Sequence, residues 1–254
     1  MSVITAIRRR RSQRPSPDEM TLIEHLAELR NRLMKAVAAL AVGTLLAWFF
    51  LYSRVLTLLQ RPYCRVVGAR HSCALVQIGP LDGLSIRMKV VIYLGAFVAS
   101  PVILWELWRF ITPGLKRNEK KYAIPFVTSS IVLFASGAVV AYLVFPKALH
   151  WLSAVGGPGL TLMYTPSNYV SLITLLMLAF GVAFEFPVVL VALELAGVVS
   201  PRQLLTHWRI AVVSITAAAA IFIPSSDPFS FLALAGPMCA FYFAAVGIGK
   251  LVGK

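Results

Sequence analysis

Six long apolar stretches restrict this chain to a membrane-embedded helical fold more strongly than any other feature of its sequence. An α-helix rises about 1.5 Å per residue, so about 20 apolar residues cross the ~30 Å hydrocarbon core of a bilayer. Only 13% of the residues are charged, whereas soluble domains carry about 25%. The stretches cover residues 35–54, 87–111, 122–146, 168–196, 207–224 and 228–249. We therefore predict an all-α membrane protein, a bundle of six transmembrane helices.

The segment before the first stretch has two parts. Residues 1–20 are basic, polar and proline-containing, which predicts a flexible cytoplasmic tail. Residues 21–34 place leucines on one helical face and Glu28 and Arg32 on another, which predicts an amphipathic helix at the membrane interface. Residues 21–254 are then expected to form a single transmembrane domain.

Basic residues in the short loops predict the orientation. The N-terminal tail, residues 112–121, residues 197–209 and the C-terminus all carry Lys or Arg and would share one side. The loop 55–86 disagrees, because it has three arginines of its own. The majority predicts a multi-pass protein of the cell membrane with both termini in the cytoplasm. Basic residues beside apolar stretches also favour contact with anionic lipid over nucleic-acid binding.

Prolines and one short stretch predict the shape of the bundle. Pro101, Pro125, Pro146 and Pro187 lie in or at the ends of the stretches, where proline kinks a helix. Kinks at several depths predict a concave, bowl-like bundle. The fifth stretch is the shortest, so we expect the bilayer to be thinner beside it.

The cysteines leave alternatives open and predict no metal or cofactor site. Cys64 and Cys73 share the loop 55–86, where they would form either a disulfide or two free thiols. Cys239 lies within the sixth stretch and is expected to be a small packing residue. No CxxC pair and no metal-ligand spacing occurs in the sequence.

Three glutamates interrupt the apolar stretches. A carboxylate in mid-bilayer costs about 2.5 kcal/mol or more, so such a residue is retained for a partner or for protonation. Glu185 has apolar neighbours on both sides, which favours a functional role over a protonated structural one. Glu106, between two tryptophans, would lie near the interface. Glu194 is closer to a helix end, where a structural role is favoured.

Two further acids lie on the predicted cytoplasmic side. Glu28 could pair with Arg32 at i,i+4, and Glu119 could be solvated among neighbouring lysines and arginines. Each carboxylate could instead accept a guanidinium group in a bidentate fork. The residues alone leave these alternatives open. No catalytic cluster and no Gly-rich phosphate loop is visible, so we expect no enzymatic activity.

Five segments together resemble the TatC family, over almost the whole chain and in the family's order. They are HLAELRNRL, PLDGLSIRMKV, SPVILWELWRFITPGLKRNEKK, FGVAFEFPVVL and IFIPSSDPFS. The paired cysteines resemble actinobacterial members. The resemblance implies the core receptor of the twin-arginine translocase, which exports folded precursors across the membrane with the proton-motive force. It implies as partners twin-arginine signal peptides, TatA- and TatB-type single-span proteins and other TatC copies.

The resemblance also implies roles for individual residues. Glu28 and Glu119 match the acids that contact the signal arginines. Positions that shape the same cytoplasmic site are matched by Arg30, Phe110, Pro113, Gly114 and Leu115. Glu185 matches the intramembrane acid associated with TatA or TatB contact. Asp227 and Pro62 match residues of the last external turn and the first external loop.

One residue departs from the family pattern, and one other function remains an alternative. Glu106 stands where many members carry Gln, so it adds either a polar contact or a protonated acid. The alternative is a proton-coupled secondary transporter or channel for a small solute, in which Glu106 and Glu185 would bind protons or ions. A membrane-embedded enzyme is a third reading, which lacks a catalytic cluster.

Overall fold

A computed structural model describes residues 22–67, 79–111, 123–155, 157, 165–225 and 227–251. All regular elements within these residues are helical. They are α1 (Leu22–Leu46), a π-helical turn (Ala47–Leu51), α2 (Tyr52–Val67), α3 (Asp82–Ile111), α4 (Ala123–Val155), α5 (Pro166–Ala183), α6 (Phe186–Leu195), α7 (Pro201–Thr206), α8 (Trp208–Phe222) and α9 (Pro228–Leu251).

Helix length and composition agree with the predicted all-α fold of six apolar segments. Five helical segments of the described chain are long and apolar enough to cross a bilayer, namely Leu26–Val66, Asp82–Phe110, Ile124–Val155, Pro166–Leu195 and Pro228–Lys250. The remaining apolar helix, α8, has 15 residues. It therefore extends only about 22 Å, less than the ~30 Å core of a typical bilayer. The predicted fifth segment is indeed the shortest, and the chain is a multi-pass membrane protein.

The first helix is longer than predicted at its C-terminal end. The amphipathic segment is helical from Leu22 and continues through the π-helical turn to Val67. Residues 55–67 were expected to belong to the loop 55–86, which follows the first apolar stretch. They instead form the amphipathic helix α2, which buries Leu59 and Tyr63 in the main core. A buried apolar face is sufficient to hold such a segment in a helix.

Pro62 lies inside α2, where its missing N–H leaves the carbonyl of Leu58 without its helical donor. The Tyr142 hydroxyl of α4 donates to this Leu58 oxygen at 3.0 Å. The Tyr169 hydroxyl of α5 donates to the next carbonyl, that of Leu59, at 2.7 Å. Two tyrosines thus attach α2 to the helices behind it and satisfy the carbonyl that the proline frees.

Helices α1 and α3 run antiparallel and approach closely through glycines. A Cβ atom added at Gly43 would lie 2.7 Å from the carbonyl oxygen of Gly95, and one added at Gly95 would meet Thr44 at 2.3 Å. Near the start of α1 and the end of α3, Arg32 contacts Glu106. Small residues at a helix crossing in a membrane allow this backbone approach.

The π-helical turn lies against Arg87 of α3. The Arg87 guanidinium stacks 4.2 Å from the centre of the Trp48 ring and 5.1 Å from that of Tyr52. It also donates to the Trp48 carbonyl oxygen at 3.3 Å. A π-helical turn disturbs the regular ladder of backbone hydrogen bonds, and Arg87 stabilises the turn at that point.

The fourth apolar segment is the centre of the bundle. In its most apolar window 44% of the residues are buried, against 11% in the first segment. Its helix α5 contributes Tyr169, Ile173, Leu176 and Phe180 to the main core. Five leucines of α1 are exposed, as expected for a helix that faces lipid: Leu26, Leu29, Leu33, Leu45 and Leu46.

The fourth segment is interrupted between Ala183 and Phe186, where α5 ends and α6 begins. Pro187 lies in the first turn of α6 and lacks the N–H that would continue the helix. The other predicted prolines lie in the interior or first turn of helices: Pro101 in α3, Pro125 and Pro146 in α4. Glu185 is the residue that precedes α6 at the interruption.

Candidate functional site

Four charged side chains, Glu28, Arg32, Lys35 and Glu106, form an ionic cluster between α1 and α3. Arg32 Nε donates to Glu28 Oε1 at 3.0 Å, and its Nη2 donates to the same oxygen. Arg32 Nη1 donates to Glu106 Oε2 at 3.2 Å. The Lys35 ammonium lies 3.9 Å from Glu106 Oε1.

The ionic cluster is partly shielded from solvent. Side-chain exposure is 21% for Glu28, 14% for Arg32 and 10% for Glu106. Glu28 Oε2 is buried and has no hydrogen-bond partner within the described residues. A carboxylate oxygen in this position lacks a donor, so Glu28 can accept a further cation once its side chain turns this oxygen outward.

The other predicted residues of this site are only partly covered by the described chain. Arg30 is exposed on α1, and Phe110 is half-buried near the end of α3. Glu119, Pro113, Gly114 and Leu115 lie outside the described residues, so their predicted roles remain predictions. The described residues that flank them, Ile111 and Ala123, end α3 and begin α4.

A second feature is an apolar groove that contains Glu185. Its volume is about 820 Å³, and its walls come from α3, α4, α5, α6, α8 and α9. The only polar side chains among its lining residues are those of Glu185, Ser100 and Ser214. Several wall residues, among them Leu107 and Phe222, are also exposed on the molecular surface. The groove is thus open to the surroundings of the bundle.

Two hydrogen-bonded side chains, Trp108 and Ser130, lie behind Glu185. Trp108 Nε1 of α3 donates to the Ser130 hydroxyl of α4 at 2.6 Å, and Ser130 is also the hydrogen-bonding neighbour of the Glu185 carboxyl group. The Trp108 ring stacks on Phe126, with ring centres 5.1 Å apart. Glu185 Oε1 is buried without a partner in the described part of the chain. One oxygen of Glu185 therefore lacks a donor, and a rotation of the side chain is needed to turn it towards the groove.

Glu106 and Glu185, which the sequence placed together as intramembrane acids, belong to different features. Glu106 contacts Arg32 and Lys35 in the ionic cluster, whereas Glu185 lines the groove. The sequence left two interpretations of Glu106, a polar contact or a protonated acid. The structure shows a polar contact, with Arg32. Arg32 joins two acids that are far apart in the sequence, a role that sequence reasoning missed.

Asp227 caps the last helix. Its Oδ1 accepts from the backbone N–H of Ser230 at 2.7 Å, and its Oδ2 accepts from the Ser225 hydroxyl. The side chain is almost fully buried, directly before Pro228 at the first position of α9. This geometry is that of an aspartate N-cap followed by proline, so Asp227 stabilises the start of α9.

Glu194 is 1% exposed at the end of α6, and neither carboxyl oxygen has a hydrogen-bond partner in the described residues. Gly249 of α9 leaves space for it, because a Cβ there would lie 2.3 Å from Glu194 Oε2. Glu194 contributes to neither the ionic cluster nor the groove.

The described residues do not test the predicted disulfide between Cys64 and Cys73. Cys64 lies near the end of α2, and Cys73 lies outside the described residues, so their pairing remains a prediction. Cys239 is half-buried against the main core within α9. In the described chain no three His, Cys, Asp or Glu side chains lie close enough together to hold a metal ion.

A family model described as "Sec-independent protein translocase protein (TatC)" matches residues 24–237. The chain belongs to the TatC family. The matched range includes the ionic cluster and every lining residue of the Glu185 groove except Met238. The resemblance drawn from five sequence segments is thereby confirmed.

Proteins named Sec-independent protein translocase protein TatC are similar over most of their length. The one from Frankia casuarinae is 37% identical, covering 98% of this chain and 71% of the relative. The one from Xylanimonas cellulosilytica is 38% identical, covering 94% and 88%. The one from Aquifex aeolicus is 36% identical, covering 91% and 95%.

A crystal structure of the twin arginine translocase receptor TatC in DDM has a similar fold. It superposes with a TM-score of 0.74 at 35% sequence identity, covering 89% of this chain and all of that chain. This protein is therefore a component of a protein translocase, with the fold of a twin-arginine translocase receptor.

Proposed function

We propose that this chain is the core receptor subunit of a twin-arginine translocase, which binds the signal peptides of folded precursors at the cytoplasmic face. Its family membership supports this function. The single observation that carries the proposed binding site is Glu28, a partly exposed acid whose Oε2 has no partner within the described chain. A guanidinium group fits such an acceptor better than an ammonium group, because it offers two parallel donors.

Glu119 would supply the second carboxylate. It belongs to the segment between Ile111 and Ala123, and these residues lie on the same side of the bundle as the contact between Arg32 and Glu106. If Glu119 lies beside Glu28, the two acids would match two adjacent arginines in charge. Arg30, Phe110, Pro113, Gly114 and Leu115 would shape the walls of this site.

The orientation follows from the basic segments. We propose that the end with the ionic cluster faces the cytoplasm together with both termini, because the positive-inside rule favours that side for the basic tail and for residues 112–121. Their Lys and Arg side chains would also contact anionic lipid. Asp227 and Pro62 would then lie towards the opposite face.

Binding of a twin-arginine peptide to the purified protein tests the site. We expect Glu28→Gln and Glu119→Gln each to weaken binding about tenfold or more, because each removes a charge-assisted hydrogen bond of about 1.5–3 kcal/mol. Glu194→Gln is the matched control, since it removes an acid outside the ionic cluster and should leave affinity unchanged. Unchanged affinity in both single variants and in the double variant would contradict the proposal.

The groove would bind a single-span partner of the TatA or TatB type. A helix with one polar side chain at mid-bilayer depth would place that side chain on Glu185 Oε1 and its apolar residues against the groove walls. An interhelical hydrogen bond of this kind contributes about 0.6–2 kcal/mol in a membrane. Such partners, and further copies of this chain, would form the assembly that uses the proton-motive force for export.

Co-purification of tagged single-span partners tests the groove. We expect Glu185→Ala to reduce partner capture several-fold, while twin-arginine peptide binding is retained. Glu194→Gln again serves as the control for loss of an intramembrane acid. Capture and export that both survive in Glu185→Ala would show that the groove is not the docking site. Solute-specific flux through liposomes holding this chain alone would support the transporter alternative instead.

A further inference from the structure

Arg32 poses a problem for the proposed receptor site, because it already contacts the acid that the signal arginine would use. It lies one helical turn after Glu28 and donates from Nε and Nη2 to Glu28 Oε1. A fully engaged arginine would use both carboxylate oxygens in a bidentate fork. Arg32 instead leaves Oε2 without a partner in the described chain.

Glu106 contacts a different donor of the same guanidinium. Its Oε2 accepts from Arg32 Nη1 at 3.2 Å, so the guanidinium is shared between two acids on different helices. Glu106 is itself buried, and within the described residues Lys35 is a second cation beside it, at 3.9 Å. A buried acid next to a guanidinium is a strong competitor for it.

We propose that Glu106 is a positioning residue, which holds Arg32 as a counter-charge and so leaves Glu28 able to accept an arginine from the ligand. This inference rests on the proposed signal-peptide function and adds to it the residue that sets how available Glu28 is. The four side chains of the ionic cluster carry two negative and two positive charges, so the unliganded cluster is neutral. Without Glu106 it would carry one excess positive charge, and Arg32 would neutralise Glu28 alone.

The Glu28 side chain can reach the ligand without a change of backbone. It is 21% exposed, and the last torsion angle of a glutamate side chain is broad. Rotation about that bond turns Oε2 outward while Arg32 stays on Glu106. The incoming guanidinium then replaces part of the Arg32 contact with Glu28.

The experiment measures affinity for a synthetic twin-arginine peptide in the full-length, detergent-solubilised protein. We expect Glu106→Gln to bind about tenfold more weakly, a change that corresponds to about 1.4 kcal/mol. We expect Arg32→Gln combined with Glu106→Gln to return to within about threefold of the unmodified protein, because the competing guanidinium is gone. Misfolding in the single variant cannot explain such a recovery, since the double variant lacks even more contacts.

Lys35→Gln combined with Glu106→Gln is the matched control. It restores the same net charge to the cluster but leaves Arg32 on Glu28, so we expect binding to remain weak. Equal recovery in both double variants would overturn the positioning role in favour of net charge alone. Full affinity in Glu106→Gln would overturn it as well.

Glu28→Gln distinguishes a failure of the proposed role of Glu106 from a failure of the proposed signal-peptide function. Loss of peptide binding in Glu28→Gln with full binding in Glu106→Gln contradicts only the role of Glu106. Full binding in Glu28→Gln contradicts the signal-arginine site itself, and the role of Glu106 with it.

Discussion

The ionic cluster and the Glu185 groove solve the problem of a carboxylate in a membrane protein in opposite ways. In the ionic cluster, Glu28 and Glu106 share Arg32, and Lys35 lies nearby. In the groove, the polar neighbour of Glu185 among the described residues is the Ser130 hydroxyl, which accepts from the Trp108 indole, and most of the wall residues are apolar. The ionic cluster has no net charge, whereas the Glu185 carboxyl group still lacks a hydrogen-bond donor for one oxygen in the described chain.

This difference indicates which ligand each region can accept. A neutral, partly exposed cluster with one unused oxygen can exchange one cation for another at little cost, which suits a charged peptide. A lone acid in an apolar groove attracts a partner that brings both apolar surface and a hydrogen-bond donor. Under the proposed function, the ionic cluster would bind the signal peptide and the groove would bind a partner helix.

The largest expected effect comes from removal of the shared cation. Arg32→Met leaves Glu106 buried with Lys35 as its one remaining ion-pair partner among the described residues, so we expect the free energy of unfolding to fall by about 3 kcal/mol. Denaturation of the detergent-solubilised protein measures it. Arg30→Met is the matched control on the same helix and should change stability by less than about 0.5 kcal/mol, because Arg30 is exposed. Equal effects of the two substitutions would show that the cluster is not a structural unit.

In the groove, by contrast, loss of the acid should raise the free energy of unfolding. Glu185→Leu removes a polar group that has one unpartnered, buried oxygen, so we expect it to stabilise the isolated protein by about 1 kcal/mol. The same denaturation experiment measures the change, with Glu185→Gln as the variant that keeps a polar side chain. A clear loss of stability in Glu185→Leu would mean that Glu185 already has a stabilising contact, and the contrast with the cluster would disappear.

A smaller effect is expected from salt, which should weaken binding at the ionic cluster but not at the groove. Raising the ionic strength from 0.1 M to 1 M shortens the screening length from about 10 Å to about 3 Å. We expect the affinity for a twin-arginine peptide to fall a few-fold, because the cluster is partly exposed, while capture of a single-span partner stays constant. Titration of both interactions over this range checks the difference. Equal salt dependence would contradict a mainly apolar docking groove.

The sequence predicted most of the fold because lipid requires long apolar segments. It predicted the short fifth segment from the same pattern and a kink at Pro187 from the proline, whereas the break between α5 and α6 is seen only in the structure. It missed most of α2, which it assigned to the loop 55–86, and only the tertiary structure places Tyr142 on the Leu58 carbonyl. Helix-forming contacts of this kind cannot be deduced from local preferences.

The candidate site was predictable only where its contacts are local. The pair of Glu28 and Arg32 follows from i,i+4 spacing on a helix. The contact of Arg32 with Glu106 joins residues 74 positions apart, and no periodicity signals it. The depth of Glu185 was visible in its apolar neighbours, but the Ser130 hydroxyl behind it belongs to another helix.

Site-specific crosslinking tests the central claim most directly, that the end with the ionic cluster is the receptor site. A photoreactive residue replaces either exposed Arg30, near Glu28, or exposed Leu81, next to the start of α3. Membrane vesicles with each variant are then given a twin-arginine precursor from the cytoplasmic side. We predict crosslinks from position 30 that a twin-lysine precursor does not form, and none from position 81. Crosslinks from position 81 alone would contradict the account.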